Sequence, residues 1–198
     1  MINQLQNYIP EAAFLKVSVL LDYENLVVIV KNERKTTHGD YRRLPNNKHQ
    51  ITVNNNLNSY RFLITLIHEI AHFEAYKKYG KAIKPHGLEW KQTFQHLMLP
   101  FINPDIFPNH LLPLLARHFK NPKASSDTDI VLSAALKKYD PPSDSVFVSE
   151  LALETIFRMP NNRVFKRGLV RRKRIECLEI SSGKTYLFHP NAEVEIVA

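Results

Sequence analysis

His68-Glu69-Ile70-Ala71-His72 places two metal-ligand side chains and a carboxylate within five residues. The run from Tyr60 to Tyr79 around it reads as a helix. On a helix, residues four apart lie one above the other on the same face. His68 and His72 can therefore offer two imidazole nitrogens to one metal ion, in the manner zinc requires. Glu69 follows the first ligand directly, where its carboxylate can reach a water at that metal and serve as general base. This is the chemistry of a zinc peptidase. Leu63, Leu66, Ile67, Ile70 and Ala71 make the helix apolar nearly all round, which marks a buried one. Two histidines and a glutamate buried there need a partner, and a metal is the simplest. Asn58 or Ser59 can cap the start of the helix. Gly80 can end it after Lys77 and Lys78, whose charges suit a helix C-terminus.

A catalytic zinc site has three protein ligands and one open position. The extended pattern HExxHxxGxxH is excluded, because Ala75 and Lys78 stand where it needs Gly and His. Glu74, His86, Glu89, His96 and His110 remain as candidates for the third ligand. Glu74 points to another side of the helix. His86 follows the turn from Gly80 to Pro85 and heads a second amphipathic segment. In that segment Trp90, Phe94, Leu97 and Met98 form a helical stripe that Pro100 stops. A histidine at the head of a helix packed back on the first can reach the metal. His96 falls off the stripe, and His110 lies beyond Pro104 and Pro108.

LITLIHEIAHFEAYKKYG followed by KPHGLEWKQTF resembles the SprT family of zinc metallopeptidases, which includes the Spartan proteases. The family's third ligand comes from a His-Gly-x-x-aromatic element, matched here by His86-Gly87-Leu88-Glu89-Trp90. The stretch from Arg34 to Arg42 resembles the family's hairpin, and His49 to Asn54 its strand before the active helix. The resemblance covers roughly residues 10 to 100. It implies an α+β fold with a zincin-like, minigluzincin-type core. It also implies one Zn2+ per chain on His68, His72 and His86, with Glu69 as base. The implied activity is cleavage of protein chains, in Spartan enzymes those crosslinked to DNA.

The chain has 198 residues, enough for one domain or for one domain plus a small module. Its 44% hydrophobic content supports a core. No run of 18 apolar residues exists, so no membrane span is expected. The start MINQLQNYIPEAAF lacks a signal-peptide pattern. A single cysteine fits a reducing cytoplasm, and a nucleoid-associated location would suit a DNA-linked role. The net charge of +8 favours anionic partners. Between residues 158 and 174 stand eight basic residues and no acidic one: Arg158, Arg163, Lys166, Arg167, Arg171, Arg172, Lys173 and Arg174. With Phe157 and Phe165 interleaved, this tract could be either a phosphate-binding surface or a solvated face.

Residues 1–140 are expected to form the SprT-like metallopeptidase domain. Within it, residues 2 to 22 read mostly as helix, broken or restarted at Pro10, with strand as the alternative for Val17 to Leu21, and Leu26 to Val30 reads as a buried strand. His38-Gly39-Asp40 supplies turn chemistry. Ile51 and Val53 alternate with polar neighbours, as in a strand with one wet face. Helices are expected around Asp105 to Phe119 and Asp129 to Tyr139, with a linker from Asp140 to Ser145. Residues 146–198 are expected to form a small basic β module, including a hairpin of Ile175 to Ile180 and Thr185 to Phe188. Many SprT-like chains carry a four-cysteine zinc ribbon here. Cys177 and His189 alone cannot make such a site, so a ribbon would persist without metal and Cys177 would be a small core residue.

The leading expectation is a cytoplasmic zinc endopeptidase acting on protein substrates, with DNA-associated proteins among them. The strand Ile51 to Asn54 is expected to flank the cleft and pair with an extended substrate. The resemblance places the hairpin near the cleft, and on that ground alone His38, Tyr41 and Arg42 are candidates for stabilising the oxyanion. The alternatives are a nucleic-acid-binding protein whose zinc site is structural or vestigial, and a peptidase whose basic tract binds an acidic protein.

Overall fold

The computed structural model describes residues 2–34, 37–123, 125 and 128–197. The chain divides into two compact units, Met1–Asp140 and Pro141–Ala198. The fold is α+β, with five α-helices and two sheets among the described residues.

In the first unit, 3-10 turns at Ile2–Asn7 and Glu11–Ala13 lead into α1 (Phe14–Leu20). Pro10 separates the two turns, at the position where the sequence marks a break in the helix. The strands β1 (Leu26–Lys31), β2 (Gly39–Arg43) and β3 (His49–Asn54) form a three-stranded sheet in the order β1-β3-β2. β3 pairs parallel with β1 and antiparallel with β2, so both of its edges are used. It therefore cannot pair with a substrate, as the sequence had suggested. Gly39 and Asp40, expected in a turn, are the first residues of β2.

The expected wet face of β3 is also covered. Thr52 and Asn54 are each 1% exposed, like their apolar neighbours Ile51 and Val53. Their polar atoms are paired: Thr52 Oγ1 donates to Asp40, and Asn54 Oδ1 accepts from Arg34 Nε at 2.8 Å. Burial costs little once such partners exist.

α2 (Ser59–Tyr79) is the central helix. Asn58 caps it, its Oδ1 accepting from the Arg61 amide at 3.0 Å. Gly80 ends it at φ 77°, a backbone conformation that costs glycine nothing. α2 packs on β2 and β3 on one side and on α3 (Leu88–Met98) on the other. Being enclosed this way explains why it is apolar nearly all round. α3 turns Trp90, Phe94 and Met98 inward, each 2% exposed or less. α4 (Leu112–Phe119) begins later than expected, because Pro104 and Pro108 hold the preceding residues in turns. α5 (Ile130–Lys137) is capped by Asp129, whose Oδ1 accepts from the Leu132 amide at 3.2 Å.

The second unit is a six-stranded antiparallel sheet. Its strands are β4 (Ser145–Phe147), β5 (Ile156–Arg158), β6 (Val164–Arg171), β7 (Arg174–Glu179), β8 (Thr185–Phe188) and β9 (Glu193–Ile196). The order across the sheet is β4-β9-β5-β6-β7-β8. Its core holds Val148, Phe157, Phe165, Ile175, Cys177 and Val194. Cys177 is a buried free thiol. No described helix is long and apolar enough to cross a membrane.

Candidate metal centre

α2 presents His68 and His72 from successive turns toward a cleft of about 740 Å³ that lies within the first unit. His86 comes from the loop before α3 and meets them there. The three Nε2 atoms lie 3.2 Å (His68 to His86), 3.2 Å (His72 to His68) and 3.0 Å (His72 to His86) apart. Tetrahedral zinc with Zn–N bonds near 2.05 Å would separate its ligand nitrogens by about 3.3 Å. The residues therefore fit such an ion. No mutual hydrogen-bonding scheme satisfies three converging nitrogens, since a neutral imidazole carries one N–H and one lone pair. Burial pushes His68 down to about 2 and His72 to about 4, and it lowers His86 as well. All three are thus neutral with lone pairs available, as a metal needs. They are the only such group of potential ligands among the described residues.

The backbone around His86 is built for this placement. His86 adopts a left-handed φ of 57°, uncommon outside glycine. The Gly87 amide donates to the Lys84 carbonyl at 2.9 Å, closing the turn that presents the ring. The other candidates for third ligand are elsewhere. Glu74 pairs with Lys77 at 3.6 Å, His96 is exposed, and His110 Nε2 bonds the Tyr139 hydroxyl at 3.2 Å. Glu89 lies outside the cluster.

Trp90 backs the whole cluster. Its ring centroid lies 4.6 Å from that of His68, 5.2 Å from His72 and 4.7 Å from His86. Its indole N–H is buried with no partner among the described residues, a cost that accompanies an apolar wall behind the imidazoles.

Glu69 is 6% exposed, with Oε1 4.0 Å from His68 Nε2. Its carboxylate accepts from the Tyr41 amide. Burial, with Asp40 nearby, pushes its carboxyl up to about 8 against the pull of Arg34 and that amide. A cation at the histidines would draw it back toward the ionised form.

Of the three residues proposed for the oxyanion, His38 and Tyr41 line the cleft and Arg42 does not. Arg42 Nε binds Asp40 Oδ2 at 2.6 Å. The Tyr41 ring lies parallel to His72 at 6.5 Å, while its hydroxyl is taken by His49 Nδ1 at 2.8 Å. Burial pushes that phenol up to about 12, so it stays protonated. Arg34 and His118 also line the cleft, and neither was singled out from sequence. No spacing marks them, since the residues that hold them, Asp40 and Asp129, are brought in by the fold.

The basic tract of the second unit does not form one uniform surface. Arg163 Nε meets Glu179 at 2.6 Å, Lys166 meets Glu154 at 2.5 Å, and Arg171 meets Glu176 at 3.0 Å. Arg158 sits opposite Glu195 across β5 and β9, and Arg167 opposite buried Cys177 across β6 and β7. Arg172, Lys173 and Arg174 are exposed at the β6–β7 turn. Phe157 and Phe165 are 0% and 2% exposed and belong to the core, so neither can stack on a base.

No curated protein and no solved structure matches this chain significantly. The model of the SprT-like family matches residues 13–106. Across that stretch, which carries all three histidines and Glu69, the chain is similar to the SprT-like family.

Proposed function

We propose that this chain is a zinc-dependent endopeptidase with a zincin-like core, acting on protein substrates. The observation that carries the reading is the convergence of three neutral imidazole nitrogens beside the buried carboxylate of Glu69. His68, His72 and His86 would hold one Zn2+ per chain, leaving a fourth position open. Zinc bound there supplies Lewis acidity toward a carbonyl oxygen and acidifies a coordinated water to a pKa near 7.

The chain's own groups do the rest. Glu69 Oε1 takes the proton of the attacking water and delivers it to the departing amine nitrogen. The Tyr41 amide holds that carboxylate in place. Trp90, fully buried behind the imidazoles, fixes their ring planes and keeps water from their rear. β2 is an edge strand whose residues line the cleft, so an extended substrate would pair with it rather than with β3. His38, which lines the cleft, remains a candidate for contact with the oxyanion.

A DNA-associated role, with DNA-bound or DNA-crosslinked proteins as substrates, is favoured by the family and by the exposed cations at the β6–β7 turn. A purely structural or vestigial zinc site in a nucleic-acid-binding protein is the other reading. Glu69 speaks against it, because a structural site has no use for a desolvated base beside its ligands.

The test compares wild type with Glu69→Gln for cleavage of casein, with and without DNA, alongside metal analysis. The expected result is one zinc in both proteins and cleavage lower by about 10²- to 10⁴-fold in the variant. Near-normal cleavage by Glu69→Gln would reject the base. Absence of cleavage by the zinc-loaded wild type under both conditions would favour the non-enzymatic reading.

A further inference from the structure

A second, separately held histidine opens on the same cleft. His118, near the end of α4, has a side chain only 2% exposed, yet it forms part of the cleft wall. Its Nδ1 lies 3.2 Å from Asp129 Oδ2. Asp129 is itself fixed, because its other oxygen caps α5 through the Leu132 amide and lies 3.6 Å from Arg117 Nη2. An ionised carboxylate can only accept, so Nδ1 must carry the hydrogen and Nε2 the lone pair. Burial holds His118 below the ordinary imidazole value, with Lys123 and Arg117 adding to this and Asp129 opposing it. The ring is therefore neutral near pH 7. Its Nε2 has no hydrogen-bond partner among the described residues.

An aromatic wall joins this pair to the metal centre. His118 packs edge-on against Phe119 at 5.2 Å, Phe119 against Phe94 at 4.9 Å, and Phe94 against His68 at 5.3 Å. A tie between α4 and α5 would need Nδ1 alone. It would not need a fixed tautomer, nor an acceptor left on the cleft wall.

We propose that His118 is a substrate-binding residue, its Nε2 accepting a hydrogen bond from a main-chain N–H of the polypeptide lying in the cleft. Its subsite is set apart from the scissile bond by the Phe94–Phe119 pair. Asp129 is the positioning residue that fixes the tautomer. This inference rests on the peptidase reading above.

His118→Asn separates binding from a structural tie. The asparagine amide can replace the Nδ1 donor to Asp129, but nothing replaces Nε2. The zinc-loaded full chain is assayed with fluorescein-labelled casein, and casein binding is measured by anisotropy in the Glu69→Gln background. The expected result is unchanged zinc content and thermal midpoint, KM raised about 5- to 10-fold with kcat little changed, and casein binding weakened to match. His118→Gln, which places an acceptor near the Nε2 position but loses the tie, should lower the thermal midpoint and restore part of the binding. Wild-type KM and binding in His118→Asn would overturn the proposal. If His118→Asn fails to fold, ¹⁵N spectra of the imidazoles in the Glu69→Gln protein decide. The His118 Nε2 signal should move when casein is added, and a fixed signal overturns the proposal. A wild type that neither cleaves nor binds casein removes the peptidase reading, and this inference with it. Cleavage by wild type with an indifferent His118 removes the inference alone.

Discussion

Gly39 and Glu69 touch in a way that leaves no room for a side chain. A methyl group on Gly39 would stand 3.0 Å from Glu69 Oε1, 3.0 Å from its Cγ and 2.8 Å from Thr65 Cγ2. Real Cβ contacts are not so short, so either β2 or the Glu69 side chain would have to move. Since α2 is packed on both sides, the exposed edge strand and the carboxylate are the parts able to give way. Gly39→Ala should therefore keep its zinc, because the histidines are not involved, and lose about 100-fold in kcat, the scale of a misplacement near 1 Å. Metal analysis beside steady-state cleavage checks this. Normal kcat with the alanine in place would show that Glu69 need not hold this position.

The turn that presents His86 makes an analogous prediction for metal affinity. A Cβ on Gly87 would meet the Lys84 carbonyl oxygen at 2.9 Å, and that oxygen is backbone within the same tight turn. Gly87→Ala should open the turn and pull His86 from the other two histidines. Zinc affinity should fall about 10- to 100-fold, as when a group supporting a ligand is lost. His86→Ala should fall further, with one of three ligands gone. Chelator competition measures both, and wild-type affinity in Gly87→Ala would remove the turn from the account of the site.

These two glycines show what could and could not be read from the residues alone. The helix that carries His68, Glu69 and His72 was legible because its signals are local: an i, i+4 histidine pair, a cap at Asn58 and a stop at Gly80. His86 was legible because the Trp90 stripe gave α3 a face and His86 stood at its head. Gly39-Asp40 was read as a turn because glycine beside aspartate is common there, whereas here the glycine is needed for close approach to α2. Thr52 and Asn54 were read as wet because their partners, Asp40 and Arg34, are distant in sequence. His118 and Asp129 were missed for the same reason. The basic tract looked uncompensated because Glu154, Glu176 and Glu179 lie outside or beyond it and are brought to it by strand pairing.

Glu179 gives the second unit a pH signature. Arg163 donates to its carboxylate at 2.6 Å and Ser182 donates to the other oxygen. Led by Arg163, these hold the carboxyl down to about 2, against an ordinary value of 4.5. The unfolded state then binds more protons than the folded state between those values. The stability this residue contributes is full above about pH 4.5 and is lost as pH falls toward 2. Glu179→Gln should lack that part of the acid limb. Amide signals of β7 followed in urea at pH 5 and pH 3 test this, in wild type and variant. An equal pH dependence in the two proteins would remove the ion pair from the account.

The β6–β7 turn focuses the nucleic-acid question. Arg172, Lys173 and Arg174 are exposed there, and no described carboxylate pairs with them, while Arg171 is engaged by Glu176. A phosphate backbone meeting these three cations would release counterions, with a slope of log K on log salt of about −0.9 for each phosphate neutralised on duplex DNA. DNA binding by the full chain should therefore show a slope of about −2 to −3, much shallower than eight free charges would give. It should also be largely indifferent to sequence, since such contacts read the backbone. With Phe157 and Phe165 in the core, no preference for single strands should arise from them. Arg172→Glu with Lys173→Glu should weaken binding and flatten the slope by about 2, without changing zinc content or cleavage of casein in the absence of DNA. A salt titration of fluorescein-labelled duplex by anisotropy measures this. If the double variant binds like wild type, the turn is not the contact, and the case for a DNA-linked peptidase rests on the family alone.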